Sequence, residues 1–425
     1  MNFRKNIKFI FIRTSLVLFF IGLSYSAEMR TWTNLKGQQI KAQLVAVDGE
    51  YVLLRLENGR DSRIPRKTLS VGDQKFLEEY GGAEKIPIDP KAKITVPEKE
   101  MKFNSKTLVK RDDKFELPDG YSLQFDIVES EHFLVMSSGK VRGKDTAELA
   151  ERLWYGMNFQ HPGFAEKWGD EKKAIFLCGE KTDYDILGKY YVDQLANSGR
   201  AQEASNSART WPMSSGAGLS LDNDTCDKYD VMRGARAFRA DGKSNFQRGV
   251  WNPFPAHCIA QDVLNVQMGG AGGGAGSDGY YAISTGHGYY KEIQLTDETV
   301  TSLLDANTYE SDEVVKSGGF DDGRKWARTL RDLVKKEKVL PSLAGLYRVN
   351  RASQLTPELT VLMYGFARYM QSTPDRISKF STVMERVDTS RSIPVPQEMA
   401  KLFGFETVKE FEDDWIVYLK STAFK

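Results

Sequence analysis

Residues 81–112 separate two parts of the chain that have different hydrophobic patterns. The stretch opens with Gly81-Gly82, contains three prolines among Lys and Glu residues, and has no helical or strand period. Such a composition is typical of a semi-extended spacer, although a structured extension packing on either domain is the alternative. The sequence therefore predicts a small domain over 28–80, a linker over 81–112 and a larger domain over 113–425.

The balance of residue types excludes several protein classes. The chain has 425 residues, with 59 basic and 58 acidic side chains, which gives a net charge of +1. Hydrophobic residues make up 40% and charged residues 28%, so wholesale disorder and a multi-span membrane protein are excluded. A chain this close to neutral lacks the basic surface of nucleic-acid-binding proteins, and we expect no nucleic acid as partner.

The first 26 residues have the pattern of a signal peptide. Four basic side chains precede the apolar run Leu16–Leu23, and Ser24-Tyr25-Ser26 forms a small-x-small cleavage site before Ala27. The run is short for a membrane-spanning helix, although an uncleaved anchor is the alternative. We expect a protein exported to the periplasm or beyond the cell, with no integral membrane association after cleavage.

Short strands alternate with tight turns in the small domain. Asp48-Gly49 and Asn58-Gly59 are hairpin turn dipeptides, and both are flanked by runs of alternating apolar residues. Ser70 then precedes a short helix with Asp73 three residues on. Three or four strands in about fifty residues predict an SH3-like β-barrel.

The motifs of this region resemble the SLA homology domain one, called SHD-one. The matching segments are Arg30-Thr31-Trp32-Thr33, Val47-Asp48-Gly49, Val52-Leu53-Leu54, Asn58-Gly59-Arg60, Ile64-Pro65 and Asp73-Gln74-Lys75-Phe76-Leu77. The resemblance implies an SH3-like fold that binds a protein or peptide segment. Trp32 is the residue we expect in the peptide groove, and a core-filling role for this Trp is the alternative.

The larger domain alternates strands and helices, and its pattern is mostly helical from Pro253 onward. The sequence therefore predicts an α+β protein overall, with a barrel followed by a mixed α/β domain. The predicted strands cover 121–129, 132–137, 173–177, 215–221 and 233–240, and the predicted helices include 146–157 and 184–196.

One helix of this domain carries an altered metallopeptidase motif. His257 and Gln261 are four residues apart after the helix-starting prolines 253 and 255, so they lie on one helical face. Zinc peptidases use this spacing as H-E-x-x-H, in which two His residues hold the metal and the Glu activates water. Here Cys258 takes the place of the Glu and Gln261 that of the second His.

The segment Gly279–Glu292 and the helical pattern that follows resemble the gluzincin-like, or thermolysin-like, zinc peptidases. The resemblance places Thr285 where that family has its third zinc ligand, a Glu. One ligand of three remains, whereas catalytic zinc normally has three protein ligands and a water. The resemblance therefore implies a scaffold without zinc, without another cofactor and without catalytic residues, in which His257, Cys258, Gln261 and Thr285 are remnants.

Two other uses of the same region stay open. A metal site built from His257, His287 and Asp262 is one alternative, and the same residues with Glu292 are candidates for a hydrolase. His287 and Tyr289 are candidates for contacting a ligand in the cleft between the helices. His132 and His161 show no ligand spacing, and Cys178, Cys226 and Cys258 allow one disulfide or three thiols.

We therefore expect an exported, non-catalytic binding or scaffolding protein with a protein or peptide ligand. A zinc-dependent peptidase with a non-standard ligand set is one alternative. A structural component of an envelope assembly is another.

Overall fold

The computed structural model describes most of the chain. The described residues are 29–48, 51–57, 61–80, 103–118, 120–241, 246, 249–270, 277–299, 312–316, 320 and 322–425. The chain divides into two compact units, residues 1–83 and 84–425, which we call the small and the large unit. In the described ranges, no helix has the length and apolarity needed to cross a membrane. The predicted signal peptide lies outside them.

The small unit is an antiparallel sheet followed by a helix. Its elements are β1 (Arg30–Thr33), β2 (Gln39–Asp48), β3 (Tyr51–Leu56), β4 (Asp61–Pro65) and α1 (Val71–Tyr80). Neighbouring strands pair in chain order, which confirms the predicted strands and the helix after Ser70. Gly49 and residues 58–60 of the two predicted turns lie outside the described residues. Closure of this sheet into an SH3-like barrel stays a prediction.

Asp73 ties α1 to the first strand. Its carboxylate accepts hydrogen bonds from Arg30 Nη2 at 2.6 Å, from the backbone N–H of Thr33 at 2.7 Å and from Ser70 Oγ at 2.9 Å. Ser70 Oγ in turn accepts from the Asp73 backbone N–H at 3.2 Å, as expected of a helix-capping residue. The cap predicted from the sequence is therefore present.

The large unit contains a six-stranded mixed sheet. Its strands are β5 (Val109–Glu116), β6 (Gln124–Glu129), β7 (Phe133–Ser137), β8 (Lys173–Cys178), β9 (Gly216–Ser220) and β10 (Gly234–Arg239). The order is β5-β6-β7-β8-β10-β9, with β7, β8 and β10 parallel to one another. The mixed α/β prediction is confirmed. β5 begins at Val109, three residues before the predicted end of the linker at 112.

Helices cover the sheet and form the rest of the unit. They are α2 (Lys144–Gln160), α3 (Phe164–Trp168), α4 (Lys181–Asn197), α5 (Ala201–Thr210), α6 (Asn223–Tyr229), α7 (Pro253–Gln267), α8 (Tyr280–Thr296), α9 (Glu313–Lys316), α10 (Gly323–Lys335), α11 (Leu343–Tyr347), α12 (Pro357–Met370), α13 (Pro374–Ser390), α14 (Pro396–Leu402) and α15 (Val408–Lys420). After Pro253 the described residues form helices and no strands, so the prediction of a helical C-terminal half is confirmed.

The sheet has a hydrophobic core on each face. Alternate residues of β7 and β8 contribute to different cores, as the period of two in a strand requires. Val135 and Ile175 pack with the helical layer that contains α2 and α7, whereas Met136 and Phe176 pack with α4. The larger core continues through α8 and α12, so the altered motif on α7 lies inside this helical layer.

Two glycines allow α8 to approach the helices beside it. A Cβ atom on Gly286 would collide with the backbone oxygen of Met363 in α12. A Cβ atom on Gly288 would lie 2.7 Å from the imidazole of His257 in α7. The Gly286-His287-Gly288 sequence is therefore required by close packing of α8 between α7 and α12.

Candidate functional site

The altered motif begins at a well-defined helix start. The Asn252 side chain accepts a hydrogen bond from the Phe254 backbone N–H at 2.9 Å, and Pro253 occupies the first turn of α7. This start places His257 in the second turn, where its side chain points toward α8. The helix start predicted from the two prolines is confirmed.

His257 is paired with a carboxylate on the neighbouring helix. Its Nδ1 lies 2.9 Å from Oε2 of Glu292, and the two residues are 3% and 0% exposed. The ring also meets Tyr289 edge-on, with 4.6 Å between centroids. His257 is therefore held on one side by a hydrogen-bonded carboxylate and on others by Gly288 and an aromatic ring.

The other remnant positions do not add a ligand to His257. Cys258 is buried, and burial raises the pKa of its thiol to about 12, with Asp262 and Glu292 acting in the same direction and Arg236 opposing them. Gln261 is half-buried on α7, and Thr285 is buried on α8. A thiol with so high a pKa stays protonated near neutral pH and is a poor nucleophile or metal ligand.

Asp262 belongs to a different cluster from His257. Its Oδ2 accepts a hydrogen bond from Arg236 Nε at 3.1 Å and lies 3.7 Å from Lys173 Nζ, while Oδ1 accepts from Arg236 Nη2. Burial acts to raise the pKa of this carboxyl, but the two cations outweigh it and the net pKa is lowered. Asp262 therefore does not join His257 in the candidate metal set, because five residues along α7 turn Asp262 toward the sheet.

His287 lies with His161 on the other side of α8. Its Nδ1 is 3.2 Å from Nε2 of Gln371, and the Nδ1 of His161 is 2.5 Å from Oγ of Ser381. Burial, followed by the charge of Lys291, lowers the pKa of His161 to about 3 and moves that of His287 well below its usual value. Both imidazoles are neutral in the folded protein.

Tyr289 is also enclosed by the helices. It is 1% exposed, and burial with the nearby Glu292 raises its pKa well above the ordinary value. Its ring packs between His257 and Trp326. We predicted that His287 and Tyr289 contact a ligand in a cleft between helices. Both side chains are buried among the packed helices.

Within the described part of the chain, no group of three His, Cys, Asp or Glu side chains has the arrangement of a metal site. The three cysteines are free thiols rather than disulfide-bonded.

The small unit has a cleft of about 650 Å³ at its surface. Leu35 and Ile40 border it and are 66% and 36% exposed, and Lys36 is the charged residue among the described side chains that line it. Trp32 is also among the residues that line the cleft, although it is fully buried, and it donates from Nε1 to the backbone oxygen of Ala42 at 3.0 Å. Trp32 therefore packs in the core of the small unit and also borders the cleft, so its role in binding a peptide stays a prediction.

Glu292 was a candidate only for the hydrolase alternative, and its pairing with His257 was not predicted. A signal for it existed, because Glu292 is seven residues beyond Thr285 and four beyond Gly288, which puts all three on one face of α8. The partners of His161, in contrast, come from α13 more than two hundred residues away, and no local pattern reveals them.

The chain matches no protein-family model, no curated protein and no solved structure.

Proposed function

We propose that the chain is an exported, non-catalytic binding protein whose small unit holds a segment of another protein. The observation that carries this proposal is the burial of the altered motif. His257, Cys258 and Thr285 are all less than 9% exposed, and His257 is hydrogen-bonded to Glu292. Hydrolysis requires a base or a metal-bound water that the substrate can reach. A His–Glu pair enclosed by α7 and α8 has no such access.

The chemistry of the replacements points in the same direction. A protonated Cys258 thiol and an uncharged Gln261 amide supply neither the general base nor the second ligand of the resembling peptidases. Asp262 is neutralised by Arg236 and Lys173, so it is not free to activate water. The large unit is then best understood as a scaffold that keeps the peptidase-like helix packing.

The cleft of the small unit supplies the binding surface. Exposed apolar side chains beside a concave surface are typical of sites that bind protein segments. Leu35 and Ile40 have this arrangement, and the resemblance to SHD-one supports a role in binding. We propose a peptide ligand with at least one apolar anchor side chain, and we propose the periplasm or the cell exterior as the compartment.

Selection from a random peptide library displayed on phage tests the binding proposal. The full chain is the bait, and selected peptides are then titrated against Leu35→Asp and Ile40→Asp. We expect each variant to weaken binding by at least about tenfold, since a carboxylate would replace an apolar contact. Val417→Asp is the matched control, because Val417 is 65% exposed on the large unit. Equal losses in all three variants, or none, would contradict the proposal.

A mixture of fluorogenic peptides tests the absence of catalysis. We expect no hydrolysis above the buffer rate with added Zn²⁺ or with a chelator. Cleavage that is lost both with chelator and in His257→Ala would overturn the proposal and establish a peptidase with an unusual ligand set.

A further inference from the structure

His132 differs from the other three histidines of the chain in being close to the surface. His161, His257 and His287 are buried in the helical layer, at 0%, 3% and 0% exposure. The side chain of His132 is 11% exposed, and its neighbour Glu131 is 61% exposed. Among the four, His132 is the imidazole that a solute can reach with least rearrangement of the fold.

The buried carboxylate of Glu151 holds the imidazole of His132 in place. Glu151, on α2, is 0% exposed and accepts from the backbone N–H of His132 at 2.8 Å, while its second oxygen lies 2.8 Å from His132 Nδ1. An ionised carboxylate can only accept hydrogen bonds, so Nδ1 carries the proton. Nε2 is therefore the ring nitrogen that remains to bind a metal ion.

An aromatic ring sets the plane of the imidazole. His132 stacks on Trp154 with 3.4 Å between centroids and 12° between planes. The ring is thus fixed in orientation by Trp154 and in tautomer by Glu151. Metal-binding histidines in proteins usually have this arrangement, with the far ring nitrogen donating to a carboxylate.

A second ligand faces the free nitrogen. Oε1 of Glu131 is 4.0 Å from His132 Nε2, and its Oε2 accepts from Tyr155 at 2.6 Å. Two ligands at about 2.0–2.2 Å from one ion lie roughly 3.3 Å apart at a tetrahedral angle. The exposed Glu131 side chain therefore needs to move by less than about 1 Å to complete the pair.

The local charge favours a cation. Glu131 and Glu151 bring two carboxylates to the imidazole, whereas the nearby Glu129 is already paired with Lys172 and Arg111. Imidazole nitrogen together with carboxylate oxygen is a donor set suited to Zn²⁺, Cu²⁺ and Ni²⁺ rather than to Ca²⁺ or Mg²⁺.

We propose that His132 Nε2 and Glu131 bind a divalent transition-metal ion at the surface of the large unit, with water completing the coordination and Glu151 positioning the imidazole. This site is independent of the peptide cleft and of the altered motif on α7. With two protein ligands it serves to capture a metal ion or to bridge to a partner's ligand.

Calorimetric titration of the untagged full chain with ZnCl₂ tests the site. We expect one binding event, lost in His132→Gln and weakened at least several-fold in Glu131→Gln. Glu151→Gln should weaken Zn²⁺ binding by about 10- to 100-fold, because this is the usual effect of losing the carboxylate that is hydrogen-bonded to a metal-binding His. Glu148→Gln, one turn away on α2, is the matched acidic control and should bind Zn²⁺ normally.

A second measurement keeps the test independent of folding in the variants. In the unaltered chain, ¹⁵N spectra of the imidazoles should show Zn²⁺ moving the His132 Nε2 resonance while the other three histidines stay in place. No heat and no shift at millimolar Zn²⁺ would overturn the proposal. So would binding that His132→Gln and Glu131→Gln leave unchanged, which would indicate adventitious carboxylate binding only.

Discussion

Nδ1 of His257 and Oε2 of Glu292 lie 2.9 Å apart across the packed interface of α7 and α8. Both side chains are buried, so the contact pairs an imidazole of α7 with a carboxylate of α8 away from solvent. The hydrogen bond joins α7 to α8 and contributes to holding the two helices together.

Glu292→Ala should lower the free energy of unfolding of the large unit by about 3–5 kcal/mol, because it leaves a buried imidazole without its partner and opens a cavity. Glu292→Gln should cost less, since the amide oxygen can still accept from Nδ1–H. Guanidinium unfolding followed by Trp fluorescence measures both. Asp413→Ala, in the exposed Lys409–Asp413 pair, is the control and should change stability by less than about 1 kcal/mol. Equal effects of Glu292→Ala and Asp413→Ala would contradict the pairing.

Gly288→Ala should destabilise the large unit by about 1–3 kcal/mol, because its Cβ would lie 2.7 Å from the His257 ring. Gly286→Ala should cost more, since its Cβ meets rigid backbone at Met363. Gly345→Ala on α11 is the matched control. Its nearest neighbour would be at 3.6 Å, and Ala has the higher helix propensity, so stability should hold or rise. Thermal unfolding would rank the three, and a tolerated Gly286→Ala would contradict the close helix approach.

Stability should fall as the pH is lowered below about 6.5, because two buried histidines must stay neutral in the fold. The pKa of His161 is lowered to about 3 and that of His287 is well below its usual value. The unfolded chain therefore binds more protons, and each His should contribute a loss of about 1.4 kcal/mol per pH unit below its unfolded pKa.

The slope of the unfolding free energy against pH is measured by urea unfolding at a series of pH values between 7 and 4.5. Carboxylates also titrate there, so the informative quantity is the difference between the native chain and His161→Gln or His287→Gln. Each variant should reduce the slope of the unfolding free energy against pH by about 1.4 kcal/mol per pH unit, which corresponds to one bound proton. An unchanged slope would show that neither histidine is held neutral.

Thiol titration should separate the three cysteines. Cys178 and Cys258 are buried with raised pKa values caused mainly by burial, whereas Cys226 is partly exposed. A chromogenic disulfide reagent should therefore modify one thiol rapidly in the native protein and three after unfolding. Cys226→Ser should remove the rapid phase. Rapid reaction of Cys258 would contradict its enclosure between α7 and the sheet.

Local sequence patterns were sufficient to predict most of the elements. Alternating apolar residues predicted the strands of the small unit, and Pro253 with its neighbours predicted the start of α7, because both depend on contacts within a few residues. Of the two turn dipeptides, Gly49, Asn58 and Gly59 lie outside the described residues. The resemblances to SHD-one and to gluzincin-like peptidases stay predictions.

The sequence by itself determined which residue types occupy positions 258, 261 and 285, since these are visible in the chain, and their comparison with a zinc site stays a prediction. Only the tertiary structure decided what His257, Asp262 and His132 contact. Glu292, Arg236 and Glu151 reach them from other helices or from the sheet, at separations of 19 to 35 residues. Helical and strand periods fix which face a side chain occupies, but the partner on the opposite face is set by how whole elements pack.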